Sequence, residues 1–400
     1  MTAPTPSGRQ IHPFPARMAP ELALDALDQA PPGAVVLDPM CGSGTVTRHA
    51  VERGHEAYGF DLDPLAVLLT RVACSHVSPQ ALSRAAARLV SEATRTTDRS
   101  LPWIDDDPET AAFVNYWFAE PQQLALRLLA SRLIGKRGPV ADALRVALSR
   151  TVITKDRGAS LARDVSHSRP HRVRDENDYD VFGGFLSAAS HIARLLDRPV
   201  NARARVRRRD ARTLPPALTR KVDLIITSPP YLNAIDYLRG HRMSLVWFGH
   251  RVRGLRHTRS IAIGAERGPE AGQGTAFLPD LNVMTLPPRE LSMLIRYSHD
   301  VQQFARQMEK VLKPGGRAVV VVGDSTLKGV LIENSAIVAD AAERAGLKIV
   351  ERRSRPLPPS SRYLPPPSDG MSALNRRMRS EVVYHLCKPF SGETLGEGHL

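Results

Sequence analysis

The run Ala34-Val35-Val36-Leu37-Asp38 passes directly into Pro39-Met40-Cys41-Gly42-Ser43-Gly44-Thr45, and this junction limits the fold more than any other stretch. β-Branched residues in a short apolar run predict a buried strand. The glycines let the backbone turn and approach a ligand that a Cβ would exclude. A helix is expected from Thr45 to about Arg53, then a second strand over 57–60 ending at Asp61. Strand, glycine turn, helix, strand and acid form the first unit of an open parallel sheet. The acid lies about twenty residues past the glycines, where a carboxylate can accept from both hydroxyls of a ribose. The three-glycine dinucleotide pattern and the lysine of a phosphate-binding loop are both missing. The expected ligand is therefore a nucleoside without a pyrophosphate. S-adenosylmethionine fits, with its ribose on Asp61 and its methionine portion over Gly42 to Thr45. A purely structural strand-turn-helix is the competing account.

A second junction lies nearly two hundred residues downstream. Val222-Asp223-Leu224-Ile225-Ile226 reads as another buried strand, stopped by Thr227-Ser228-Pro229-Pro230-Tyr231. Proline cannot donate to a sheet ladder and fixes φ, so the chain leaves the sheet in a stiff loop. Open α/β sheets place their chemistry at such carboxyl ends of strands. Basic and aromatic residues follow, with Arg239, Arg242, Arg251, Arg253 and Arg256 near Trp247 and Phe248. Arginines interleaved with aromatics suit a groove for phosphates and splayed bases, and Trp247 and Phe248 suit a core.

Further strands are expected over 203–209, 317–322, 348–352 and 382–387, with helices over 20–29, 64–74, 288–312 and 331–345. That makes seven strands with interleaved helices in one α/β sheet. Asp210-Ala211 closes the 203–209 strand, where Asp210 is placed either to accept from an adenine amino group or to cap a turn. Residues 75–201 differ in composition, with helical periodicity over 111–134, 141–148 and 181–196. They form a mainly helical insertion between the two parts of a catalytic domain, 1–74 and 202–400. DNA contact, a lid over the cofactor, and a plain helical cap all remain open for it.

The formal net charge of +14 favours a polyanionic partner, nucleic acid first and an acidic surface second. Cys41, Cys74 and Cys387 show no paired spacing, which argues against a disulfide framework and a metal site. The segment from Met1 to Gly8 lacks the apolar core of a secretory signal, so a cytoplasmic location is expected.

Asp38-Pro39-Met40-Cys41-Gly42-Ser43-Gly44-Thr45 taken with Thr227-Ser228-Pro229-Pro230-Tyr231 resembles the amino-methylating DNA methyltransferases, which modify cytosine N4 or adenine N6. His12-Pro13-Phe14-Pro15-Ala16-Arg17 is similar to the segment these enzymes place beside the cofactor, and Asp210-Ala211 to the acid that caps its adenine. The resemblance implies a seven-stranded, Rossmann-like class I methyltransferase sheet with an antiparallel terminal strand. It also implies S-adenosyl-L-methionine as cofactor, double-stranded DNA as substrate, and Ser228, Pro229, Pro230 and Tyr231 as the catalytic loop. A serine before the two prolines leans towards cytosine N4 over adenine N6. RNA guanine-N2 or protein-glutamine methylation, and a cofactor-holding DNA-binding regulator, are the alternatives. The chain carries no nuclease motif, so a restriction endonuclease would be a separate partner.

Overall fold

All seven expected strands pair into one sheet. The computed structural model describes residues 10–14, 18–152, 157–163, 170–232, 237–265, 286–357 and 380–390. Among these, the strands of the main sheet are β1 (Val35–Asp38), β2 (Glu56–Asp61), β3 (Ala204–Arg208), β4 (Val222–Thr227), β5 (Leu312–Gly323), β6 (Lys348–Pro356) and β7 (Ser380–Cys387). Their order across the sheet is β6-β7-β5-β4-β1-β2-β3. β7 is antiparallel to both neighbours, while the pairs from β5 to β3 are parallel.

The helices are α1 (Pro20–Asp28), α2 (Thr45–Glu52), α3 (Pro64–Ala73), α4 (Pro79–Arg95), α5 (Pro102–Asp105), α6 (Pro108–Trp117), α7 (Glu120–Leu133), α8 (Pro139–Val152) and α9 (Val181–Leu196). They continue with α10 (Tyr237–Leu245), α11 (Val252–Ser260), α12 (Pro288–Val311) and α13 (Asn334–Arg344). No described helix is long and apolar enough to cross a membrane.

Alternation along the central strands decides the layering. Leu37, Ile225, Val320 and Val322 face α12 and α13, whereas Val36, Leu224, Ile226, Val319 and Val321 face α1 and α2. Both faces are covered, so the central strands are apolar at successive positions. Val319 to Val322 are each at most 4% exposed, and burying such a side chain contributes about 1.5–3 kcal/mol.

Among the boundaries that differ from expectation, two follow from strand pairing. β5 starts at Leu312, because Leu312 pairs with Val222 before the chain loops out and rejoins the ladder at Arg317 opposite Leu224. The helix expected from residue 331 starts at Asn334, because Val330–Ile332 pairs with Ser325–Leu327 in a short antiparallel ladder.

The insertion is helical, and it shares a core with elements outside it. Leu65, Leu69 and Val72 of α3 pack in one cluster with Leu89, Leu126, Val146 and Phe185 of the insertion, and with Met243, Trp247 and Leu255 after β4. Trp103 Nε1 donates to the Val246 carbonyl at 2.7 Å, and Val252 N donates to Thr110 Oγ1 at 2.9 Å. Val246 and Val252, after β4, are thereby fastened to α5 and α6.

Strand order reverses between β1 and β4, which are adjacent in the sheet although far apart in sequence. A crevice opens outside the carboxyl ends of parallel strands at such a reversal. The two junctions singled out in the sequence flank it.

Candidate active site

Asp38 ends β1 and is 4% exposed. Its Oδ1 accepts from Met40 N at 3.2 Å and from Thr227 Oγ1 at 2.9 Å, so one oxygen holds the starts of both loops. Burial pushes the Asp38 carboxyl up to about 7, against those two hydrogen bonds.

The first loop is fixed by backbone contacts. Cys41 N donates to the Phe60 carbonyl at 2.8 Å, and Gly42 N donates to Asp61 Oδ2 at 3.0 Å. Gly44 has φ 83° as it enters α2, and a Cβ there would lie 2.9 Å from Thr70 Cα. Only glycine fits that approach. Ser43 and Thr45, half-buried, complete the turn, and Pro39 is buried beneath it.

Asp61 ends β2 and is half-buried. Its second oxygen accepts from Asp63 N at 2.9 Å. Burial, with the neighbouring charge of Asp63, pushes its carboxyl up to about 6. Asp63 caps α3 by accepting from Leu65 N at 2.8 Å, and its other oxygen accepts from His241 Nδ1 of α10. Burial alone would raise the Asp63 carboxyl, but His241 outweighs it and holds the group below its ordinary value.

The second loop follows Thr227, which is fully buried. Pro229 is buried, while Ser228, Pro230 and Tyr231 are half-buried. Ser228 Oγ lies 3.4 Å from the Tyr231 hydroxyl, which reaches Glu381 Oε1 at 3.4 Å.

The remaining candidate residues divide. Phe14 reaches the glycine loop: a Cβ on Gly42 would meet its ring at 3.3 Å, and its ring centroid is 5.2 Å from that of His241. His12 is held against the insertion, with Nε2 2.8 Å from Ser149 Oγ and Nδ1 2.6 Å from the Pro13 carbonyl. Pro15 lies outside the described residues. Asp210, just past β3, accepts from Arg212 N at 2.8 Å and Arg212 Nη2 at 2.6 Å, and Arg212 also binds Asp300 of α12. The turn-capping account of Asp210 is therefore realised, with the buried Ala211 beside it.

Of the five arginines, Arg239, Arg251, Arg253 and Arg256 are exposed. Arg242 lies over the Phe113 ring at 5.0 Å, and Arg256 pairs with Glu109 at 2.7 Å. Those two tie α10 and α11 to the insertion. Burial pushes the Cys41 thiol well up and Cys74 to about 12, which makes both poor nucleophiles.

Sequence reasoning assigned no role to Thr227 as a clamp on Asp38, to the Asp63–His241 pair, or to Glu381. Asp63 carried a local signal, an aspartate before a proline at a helix start. Glu381 carried none, since its neighbours come from distant strands.

A mostly parallel seven-stranded sheet in this order, with a reversed last strand, a glycine turn after β1 and an acid ending β2, is the Rossmann-like fold of class I methyltransferases. No protein-family model matches the chain. The chain is 30% identical over 127 residues to the Type II methyltransferase M.MvaI of Kocuria varians, a match spanning 30% of this chain and 28% of that protein. Among solved structures, TrmN from Thermus thermophilus is 14% identical, with a TM-score of 0.33 over 93% of this chain and 49% of that one. The rRNA methyltransferase AviRa from Streptomyces viridochromogenes is 13% identical, with a TM-score of 0.34 over 95% of this chain and 90% of that one. Overlaps this loose add nothing to what the strand order establishes.

Proposed function

We propose that this chain transfers the methyl group of S-adenosylmethionine to the exocyclic amino group of a base turned out of double-stranded DNA, cytosine N4 before adenine N6. One observation carries the reading: Asp38 joins the glycine loop to the Ser228–Tyr231 loop through Thr227 at 2.9 Å, so a nucleoside site and an amine site share one crevice. The Type II methyltransferase similarity, over its 127 residues, supports DNA as the substrate.

The residues suit this cofactor. Glycine at 44 lets the loop close against Thr70, Phe14 supplies an apolar wall beside Gly42, and Asp61 keeps lone pairs for ribose hydroxyls beyond its two backbone bonds. When bound, the cofactor supplies an electrophilic methyl group on a sulfonium.

A base amine is a weak nucleophile because its lone pair is conjugated with the ring. Ser228 Oγ and the Pro229 carbonyl would accept its two N–H bonds, letting the nitrogen become tetrahedral and aim its lone pair at the methyl. Placement of this kind can be worth about 7–11 kcal/mol. Pro230 stiffens the loop, and Tyr231 would stack on the extruded base, offering about 1–3 kcal/mol against the cost of extrusion. Arg239, Arg251 and Arg253 are among the exposed cations and would bind DNA phosphates.

Sequencing DNA from a host that expresses the chain, with detection of modified bases, tests the reading. N4-methylcytosine at a fixed sequence is expected. N6-methyladenine would move the target base, and unmodified DNA would remove the function.

A further inference from the structure

Glu381 lies near the start of β7, where the reversed strand begins beside the ends of the parallel ones, and it pairs in register with Gly323 at the end of β5. Its Oε1 accepts from the Tyr231 hydroxyl at 3.4 Å, and that hydroxyl lies 3.4 Å from Ser228 Oγ. Both distances are long, as in sites whose polar contacts tighten once substrate enters.

The chemistry of the three groups gives the row a direction. An ionised carboxylate only accepts, whereas the phenol and the serine hydroxyl can each donate one proton and also accept. With Glu381 ionised, the Tyr231 hydroxyl donates its hydrogen bond to Glu381 and accepts one from Ser228. The lone pairs of Ser228 Oγ then remain for the crevice. We propose that Glu381 is a positioning residue that fixes Ser228 as an acceptor for the target amine, acting through the Tyr231 hydroxyl. This rests on the amino-methylation reading above.

Among the described residues, three charged or titratable groups face Glu381. They are Tyr231 from the loop, Arg355 Nη1 of β6 at 3.9 Å, and Glu21 of α1, which binds Arg355 Nη2 at 2.8 Å. Burial raises the Glu381 carboxyl against the pull of Arg355 and Tyr231, with Glu21 adding to the rise. Once protonated, Glu381 can donate to Tyr231, reverse the row and turn the Ser228 proton towards the amine. Turnover should therefore fall on the acid side, without the cofactor leaving.

The test uses full-length wild type, Glu381→Gln, Tyr231→Phe and the double variant. Each single variant should lose about tenfold or more in kcat, the cost of one misdirected hydrogen bond, with KM for S-adenosylmethionine within about twofold. The acid limb of the kcat profile should disappear in Glu381→Gln, and the double variant should be no worse than Tyr231→Phe. Wild-type turnover in Glu381→Gln, or fully additive losses, would overturn the proposal. A second measurement needs no DNA. The ultraviolet titration of wild type minus that of Tyr231→Phe isolates the Tyr231 phenol, and the same difference in the Glu381→Gln background should shift to lower pH. An unmoved titration overturns the row. A wild type inert on DNA would instead sink the functional reading, and the titration would still decide the row.

Discussion

Thr227 donates its hydroxyl to Asp38 across 2.9 Å, joining the last residue of β4 to the last residue of β1. Neither position can shift without moving the other. The loop that holds Ser228 therefore keeps its place relative to the loop that holds Gly42, and four consequences can be measured.

Asp61 should govern cofactor affinity. Asp61→Ala is expected to weaken S-adenosylmethionine binding about tenfold or more by calorimetry, through lost hydrogen bonds to a charged acceptor. The acceptor must be ionised, and burial sets its carboxyl at about 6. Wild-type affinity should hold above that pH and fall as pH drops through it. The Asp61→Ala protein should show no such fall.

Ser228→Ala should behave in the opposite way. Removing one preorganised hydrogen-bonding group at the reacting centre is expected to cost about 10²–10³ in kcat, with cofactor affinity nearly unchanged. Normal turnover in this variant would remove Ser228 from the site.

Asp38 makes stability depend on pH. Its folded carboxyl lies near 7, above the ordinary value, because burial disfavours the charge. The stabilisation is complete below the unfolded value of about 4 and is lost as pH rises through about 7. Asp38→Asn keeps an oxygen for Met40 N and Thr227 Oγ1 without the charge. At pH 8 the cofactor-free variant should be more stable than wild type by about 2 kcal/mol, the full linkage value being about twice that. In denaturant melts the gap should close towards pH 4.

The arginines should separate by environment. Arg253→Ala is expected to lower DNA affinity and to reduce the salt slope by about 0.9, the signature of one lost phosphate contact. Arg242 lies over Phe113, so Arg242→Ala should cost about 0.5–2 kcal/mol of stability and leave the slope unchanged.

The sheet was legible because its signals are local. Leu224 to Ile226 and Val319 to Val322 are apolar at every position because helices cover both faces, and Pro229 and Gly42 mark where the chain must leave. What was not legible depends on neighbours far apart in sequence. The ladder between Leu312 and Val222 extends β5 through a glycine-rich turn that reads as a break. Arg242 and Arg256 look like free cations until Phe113 and Glu109 are placed opposite them. Asp210 reads as an adenine ligand with a cap as competitor, and its bonds from Arg212, two residues on, are visible only in the structure. Glu381 becomes part of the site only when the last strand inserts beside β5.

The most direct test is to incubate the chain with methyl-labelled S-adenosylmethionine and mixed-sequence duplex DNA, then digest the DNA and separate the nucleosides. Label in N4-methylcytosine, lost on Ser228→Ala, is the predicted result. Label that never enters DNA, and enters tRNA or protein instead, would contradict the account.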